Sequence, residues 1–248
     1  MPYKRFSQGL RPLIAILYLN LLAYIVRSLM SIIFTFTRMM IFVLLLTIIG
    51  GPSYLGQATI GALIALAFGA GFSQFSVDLN ALRLTGYKYI LVSSPVGSMS
   101  YAFGTAIGMS LLSSINILIF FIIWLVFYKP TALAASLLVV ILLAIWAIGV
   151  MLGFTISTIV RTPHMLFNIT DTLYAVLIYA MPVYYSLEVL PEAIRPLTYI
   201  SPATHASILA REISMKGSIY STSNTIFLAV YIAIFTIIST KWARWRDI

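Results

Sequence analysis

Apolar residues gather along this chain into six long runs, at about 28–50, 56–77, 98–127, 132–156, 165–187 and 224–241, separated by polar interruptions. Each run approaches the roughly 20 residues that an α-helix needs to cross the hydrocarbon core of a bilayer. The pattern therefore predicts an all-α, polytopic membrane protein with six transmembrane helices. A shorter run, Leu13 to Val26, is interrupted by Asn20 and bracketed by Arg11 and Arg27. That predicts an N-terminal helix lying in the membrane interface, with a seventh span as the alternative. Between the fifth and sixth runs, Leu187 to Ser223 alternates apolar and polar residues and contains Pro191, Pro196 and Pro202. It is too polar to span, and it predicts a short re-entrant segment of small helices folded onto the outer mouth before the last span.

One interruption stands out. Asp78 to Pro95, DLNALRLTGYKYILVSSP, places Leu79, Leu82, Gly86 and Ile90 at helical spacing with Lys88 opposite. Asp78 is positioned to cap the start of such a helix, and Pro95 closes it. Two readings stand: an inner loop carrying positive charge, or a short docking helix offered to a soluble partner.

Composition agrees with the span pattern. Hydrophobic residues make up 61% of the 248 and charged residues only 8%, against about 25% charged in an ordinary soluble domain. The formal net charge of +9 raises nucleic acid as a partner, but in a membrane chain it reports which loops stay in the cytoplasm, so no nucleic acid is expected. With both termini inside, the inner side holds Lys4, Arg5, Arg11, Arg27, Arg83, Lys88, Arg161, Lys241, Arg244 and Arg246, and the outer side only Lys129, Arg195, Arg211 and Lys216. The imbalance predicts a multi-pass protein of the cell membrane with both ends cytoplasmic. The basic start followed by an apolar run resembles a signal peptide, but no small-residue cleavage site follows, and the segment is expected to be retained. Trp124, Phe127 and Tyr128, and later Trp242 and Trp245, fall where aromatic belts are expected. Cysteine is absent, and no repeat or linker divides residues 1–248, which predicts a single domain.

Candidate chemistry is sparse. No G-x-x-x-x-G-K-[ST] loop is present, so any ATPase must be a separate chain, and ATP and Mg would be bound there rather than here. His164 and His205 fall on opposite sides of the predicted membrane without accompanying carboxylates, which argues against a metal site. Neither G-x-S-x-G nor S-x-x-K appears, and the chain is expected not to be an enzyme. Two charges fall inside predicted spans, Arg38 in the first and Asp171 in the fifth, where each needs a partner or water. They either pair with each other or line a transport path. Gly104 with Gly108, and Gly149 with Gly153, place small residues four apart for close helix packing.

The ordered set of a basic leading helix, six spans, the inner segment TGYKYILVSSPVG (Thr85 to Gly97) and the outer LPEAIRPLTYISPATHASILAR (Leu190 to Arg211) resembles the membrane permease of type-2 ATP-binding-cassette (ABC) exporters. Gly86 is followed here by Tyr87, Lys88 and Tyr89, where members of that family usually carry acidic residues and a Thr-Leu-Glu-like stretch. The resemblance implies that Asp78 to Pro95 is the coupling helix, with Leu79, Leu82, Arg83, Gly86, Tyr87, Lys88 and Ile90 meeting a cytoplasmic ATPase subunit and Arg161 forming a lesser contact. It implies a second permease copy or homologue as partner, and a conduit in which Phe72, Phe75, Tyr174 and Tyr179 of spans two and five face the substrate. The substrate would be hydrophobic, amphipathic or lipid-linked, in contact with membrane lipid. The alternatives are an ion-coupled secondary transporter or an intramembrane lipid-modifying enzyme.

Overall fold

In a bilayer every backbone N–H and C=O must be satisfied within the chain, which leaves helices or closed barrels as spanning structures. The computed structural model describes residues 29–84, 98–160 and 162–242, and all regular structure among them is helical. In order these are α1 (Leu29–Gly50), α2 (Tyr54–Gly69), a π-helical turn (Ala70–Gln74) and α3 (Phe75–Leu84), then α4 (Ser98–Tyr128) and α5 (Ala132–Ile159). There follow α6 (Pro163–Tyr174), a second π-helical turn (Ala175–Tyr179), a 3-10 turn (Leu187–Val189), α7 (Arg195–Thr198), α8 (Pro202–Lys216) and α9 (Thr222–Trp242). The predicted interfacial helix at 13–26 lies outside the described residues.

Among the described residues, four helices are long and apolar enough to cross a membrane: Ile32–Gly50, Tyr54–Asn80, Ala132–Ile159 and Thr222–Lys241. A fifth is formed if the two parts of α4, Ala102–Leu111 and Ser113–Tyr128, are taken as one span bent by 60°. Over the predicted run at 165–187 the helix comprises the 12 residues of α6 and the 5-residue π turn, at the lower end of spanning length, and it ends before 187. The chain then turns through Met181 to Tyr185, where Arg211 from α8 donates from Nη2 to the carbonyls of Pro182 (3.2 Å) and Val183 (2.7 Å).

Local signals set the other ends. Thr131 is extended, and its hydroxyl accepts from the Ala134 N–H at 3.2 Å, capping α5. Pro163 and Pro202 open α6 and α8, where a missing N–H costs nothing. Gly217 closes α8 at φ 74, a left-handed conformation for which Gly carries no side-chain penalty.

The continuous unit of α2, its π turn and α3 is the hub. In its spanning window 78% of residues are buried, against 11% in α1 and 17% in α9, so these two outer helices present apolar faces outward. The unit packs on α4 on one side and α5 on the other, and α5 also contacts α8 and α9. The principal core holds Ile60, Leu63, Phe68, Phe72, Trp124 and Tyr184, and a smaller cluster joins Phe75 and Leu79 to Ala102, Ala106, Met109, Val150 and Phe154.

The Gly149/Gly153 pair works within the chain. A Cβ on Gly149 would stand 2.7 Å from the Phe68 carbonyl oxygen, and one on Gly153 would stand 2.8 Å from that of Phe72. Gly104 and Gly108 are also buried.

The belt expected at Trp124 is corrected. This side chain is fully buried, and its indole N–H donates to Ser214 Oγ at 2.8 Å, tying α4 to α8. A Trp N–H in a core needs such an acceptor, which is why the position is structural rather than interfacial.

Candidate functional site

The site is built where α1, the hub, α4 and α6 diverge. From α1 come Thr35, Arg38 and Met39, and from the hub Ala65, Leu66, Gly69, Ala70, Ser73, Gln74, Val77 and Asp78. Ser113 of α4 and Phe167, Asp171 and Tyr174 of α6 complete the wall of a cavity of about 310 Å³. The helical period explains the set from the hub, because Ser73, Gln74, Val77 and Asp78 fall on one face three or four residues apart. Ser113 Oγ donates to Gln74 Oε1 at 2.6 Å, fixing the amide at the cavity wall. The Tyr174 hydroxyl donates to the Ala65 carbonyl at 3.0 Å, holding α6 against α2.

Thus the two intramembrane charges that stand out in the sequence do converge on one space. They meet there as lining residues, and among the described residues no hydrogen bond or ion pair joins Arg38 to Asp171. A third ionisable side chain, Asp78, joins them, and its Oδ2 is buried without a hydrogen-bond partner. The sequence alone places Asp78 at the start of a separate helix as a cap. It lies instead within the unbroken helix that runs from Tyr54 to Leu84, so its carboxylate is free of any capping duty and faces the cavity. The signal that would have found it is the polar face Ser73, Gln74, Asp78 inside an otherwise apolar run.

The aromatic candidates separate. Phe72 and Phe75 are fully buried in the two cores. Phe72 stacks on Phe68 at 5.2 Å between centroids, and Phe68 stacks on Tyr174 at 6.3 Å. Tyr174 alone of the four lines the cavity. Beyond it, Tyr179 lies 5.7 Å from Tyr174 and 6.1 Å from Tyr184, whose ring meets Phe42 at 4.6 Å. These rings fill the bundle past the cavity as one packed column.

Of the predicted partner contacts, Leu79 is fully buried against the smaller core. Leu82 and Arg83 belong to the last turn of α3, with side chains outside the described set. Gly86, Tyr87, Lys88, Ile90 and Arg161 lie outside the described residues.

On the far side of the hub, α8 forms a polar joint. His205 is fully buried, with Nδ1 2.7 Å from Asn224 Oδ1 and Nε2 3.0 Å from the Tyr199 carbonyl oxygen. Burial lowers the Arg211 pKa to about 10, with Tyr128 acting in the opposite sense, and leaves the group cationic at neutral pH. His164 is exposed at the start of α6.

Residues 34–215, which span the cavity wall and most of α8, match the family described as ABC-2 type transporter. No curated protein matches the chain.

Proposed function

Because the chain belongs to the ABC-2 type transporter family, we propose that it is the permease subunit of an ATP-driven exporter. That it is a multi-pass membrane protein of transporter type follows from the family and from its long apolar helices. The finer proposal is that it moves a hydrophobic, amphipathic or lipid-linked substrate across the cell membrane, with six spans, a re-entrant outer segment and both termini in the cytoplasm. Hydrolysis would belong to a separate subunit, since the sequence contains no phosphate-binding loop. A second permease copy or homologue would complete the pathway.

The observation that carries this reading is the family match over residues 34–215, which includes the whole segment between α3 and α4. In the proposed arrangement that segment, with Gly86, Tyr87, Lys88 and Ile90, meets the ATPase subunit and passes its motion to α3. Since α3 is continuous with the hub, a push there moves the wall carrying Asp78. Arg161, just before α6, would be a second contact on the wall carrying Asp171.

The test is co-purification of the chain with a cytoplasmic ATPase subunit and measurement of ATP turnover with and without it. The expected result is association, with turnover that falls when Gly86, Lys88 or Ile90 is replaced. An ATPase that neither binds nor responds to these replacements overturns the coupling. The charged cavity is the observation that favours ion-coupled secondary transport instead, and transport that persists without any ATPase would establish it.

A further inference from the structure

Inside a bilayer, a charge is held only where it finds a partner, water or a ligand. Arg38, Asp78 and Asp171 share one cavity, yet no ion pair joins them among the described residues. Arg38 lies six residues into the apolar helix Ile32–Gly50, which is long enough to cross a membrane, and Asp171 lies eight residues into α6.

The signs decide what suits the site. A purely anionic group meets two carboxylates, and a purely cationic one meets the Arg38 guanidinium. A group carrying both charges can satisfy all three residues. Guanidinium forms forked, charge-assisted bonds to phosphate or carboxylate, while carboxylates accept from ammonium. Thr35, Ser73, Gln74 and Ser113 add neutral donors and acceptors to the wall, and the buried Oδ2 of Asp78 lacks a donor. The volume of about 310 Å³ lies at the small end of ligand sites, enough for a head group but not for its chains. Phe167 of the wall and Phe34, next to Thr35 in α1, are exposed apolar side chains, against which an acyl chain can lie.

Resting on the permease assignment above, we propose that this cavity binds the head group of an amphipathic substrate bearing both an ammonium and an anionic group, as in an ammonium–phosphate lipid head. Arg38 holds the anion, and Asp171 and Asp78 hold the cation.

The experiment uses the purified full chain in uncharged detergent and titrates three probes: phosphatidylethanolamine, phosphatidylglycerol and a single-chain quaternary ammonium amphiphile, read by native mass spectrometry. Phosphatidylethanolamine should bind about tenfold tighter than either singly charged probe, and Arg38→Gln and Asp171→Asn should each weaken it about tenfold. The two variants should also change selectivity in opposite directions, Arg38→Gln toward the cationic amphiphile and Asp171→Asn toward phosphatidylglycerol. Global loosening lowers all three affinities together and cannot produce that crossing. Asp78→Asn supplies a second acid variant if Asp171→Asn does not fold, and Thr172→Ala, exposed and outside the cavity wall, should leave binding unchanged. Equal binding of the three probes, a native preference for phosphatidylglycerol, or affinities indifferent to both charge variants would overturn the proposal. No ATPase is present in this assay, so a flat lipid pattern leaves the coupling experiment standing, and failed coupling leaves the lipid pattern standing.

Discussion

At Gly149 a single missing carbon sets how closely two helices approach. The hub's backbone lies where a Cβ would sit, with the Phe68 oxygen at 2.7 Å and the Phe72 nitrogen at 3.1 Å. Backbone atoms in a packed helix do not swing aside as a side-chain tip does, so Gly149→Ala should force α5 away from the hub. Overpacking of this kind costs about 1–3 kcal/mol, which outweighs the better helix propensity of Ala. Thermal unfolding in detergent checks it, and an unchanged melting point would mean that the contact relaxes freely. The pair Gly149 and Gly153 was legible in the sequence because small residues four apart share a helix face. Arg38 and Asp171 were legible because a charge within an apolar run has few bland explanations. Asp78 was not, since it stands at the edge of its run, where hydropathy cannot tell a capping acid from one inside the helix.

Among elements, the turn after α6 shows what local pattern leaves open. The apolar run to 187 reads as one span by hydropathy. The helical turns nevertheless end at Tyr179, ahead of Pro182, which has no N–H for the helical ladder and disfavours helical geometry at Met181, and Arg211 of α8 then holds the turn by donating to the carbonyls of Pro182 and Val183. Replacing Arg211 by Ala removes charged donors from two buried acceptors, and an orphaned buried acceptor costs about 1–3 kcal/mol. The void left by the side chain adds to this. Arg211→Ala should therefore destabilise the protein by about 2–4 kcal/mol and expose residues 181–185 to limited proteolysis. If the melting point and the cleavage pattern both match the native chain, the clamp does not hold the turn. In the same way the hub continues as one helix through Ser73, Gln74 and Ser76 and past Asp78, whereas the apolar run of the sequence ends at 77. Ser76 donates to the carbonyl of Phe72, and Ser113 takes up Gln74, so packed partners absorb polar groups that would otherwise break the run.

For the molecule as a whole, orientation is the property to test first, since the proposed roles of the inner and outer segments depend on it. The chain contains no cysteine, so single replacements report without background. Lys129 and His164 are exposed at opposite ends of α5, which has the length and apolarity of a span. Lys129→Cys should react with a membrane-impermeant maleimide in intact cells, and His164→Cys only after permeabilisation. The reverse pattern would invert the proposed topology, and labelling of both from one side would remove α5 as a span. By itself the sequence determined helix content, the approximate positions of the long apolar helices and the two charges set within apolar runs, Arg38 and Asp171. Each of these depends on composition or periodicity over one segment, and the bilayer punishes violations segment by segment. Only the tertiary structure decided that Asp78 joins Arg38 and Asp171 around one cavity, that Phe72 and Phe75 are core, and that Arg211 of α8 holds the turn after α6. Those outcomes depend on which helix faces meet across the bundle, and a contact between residues a hundred positions apart leaves no periodic trace along either one.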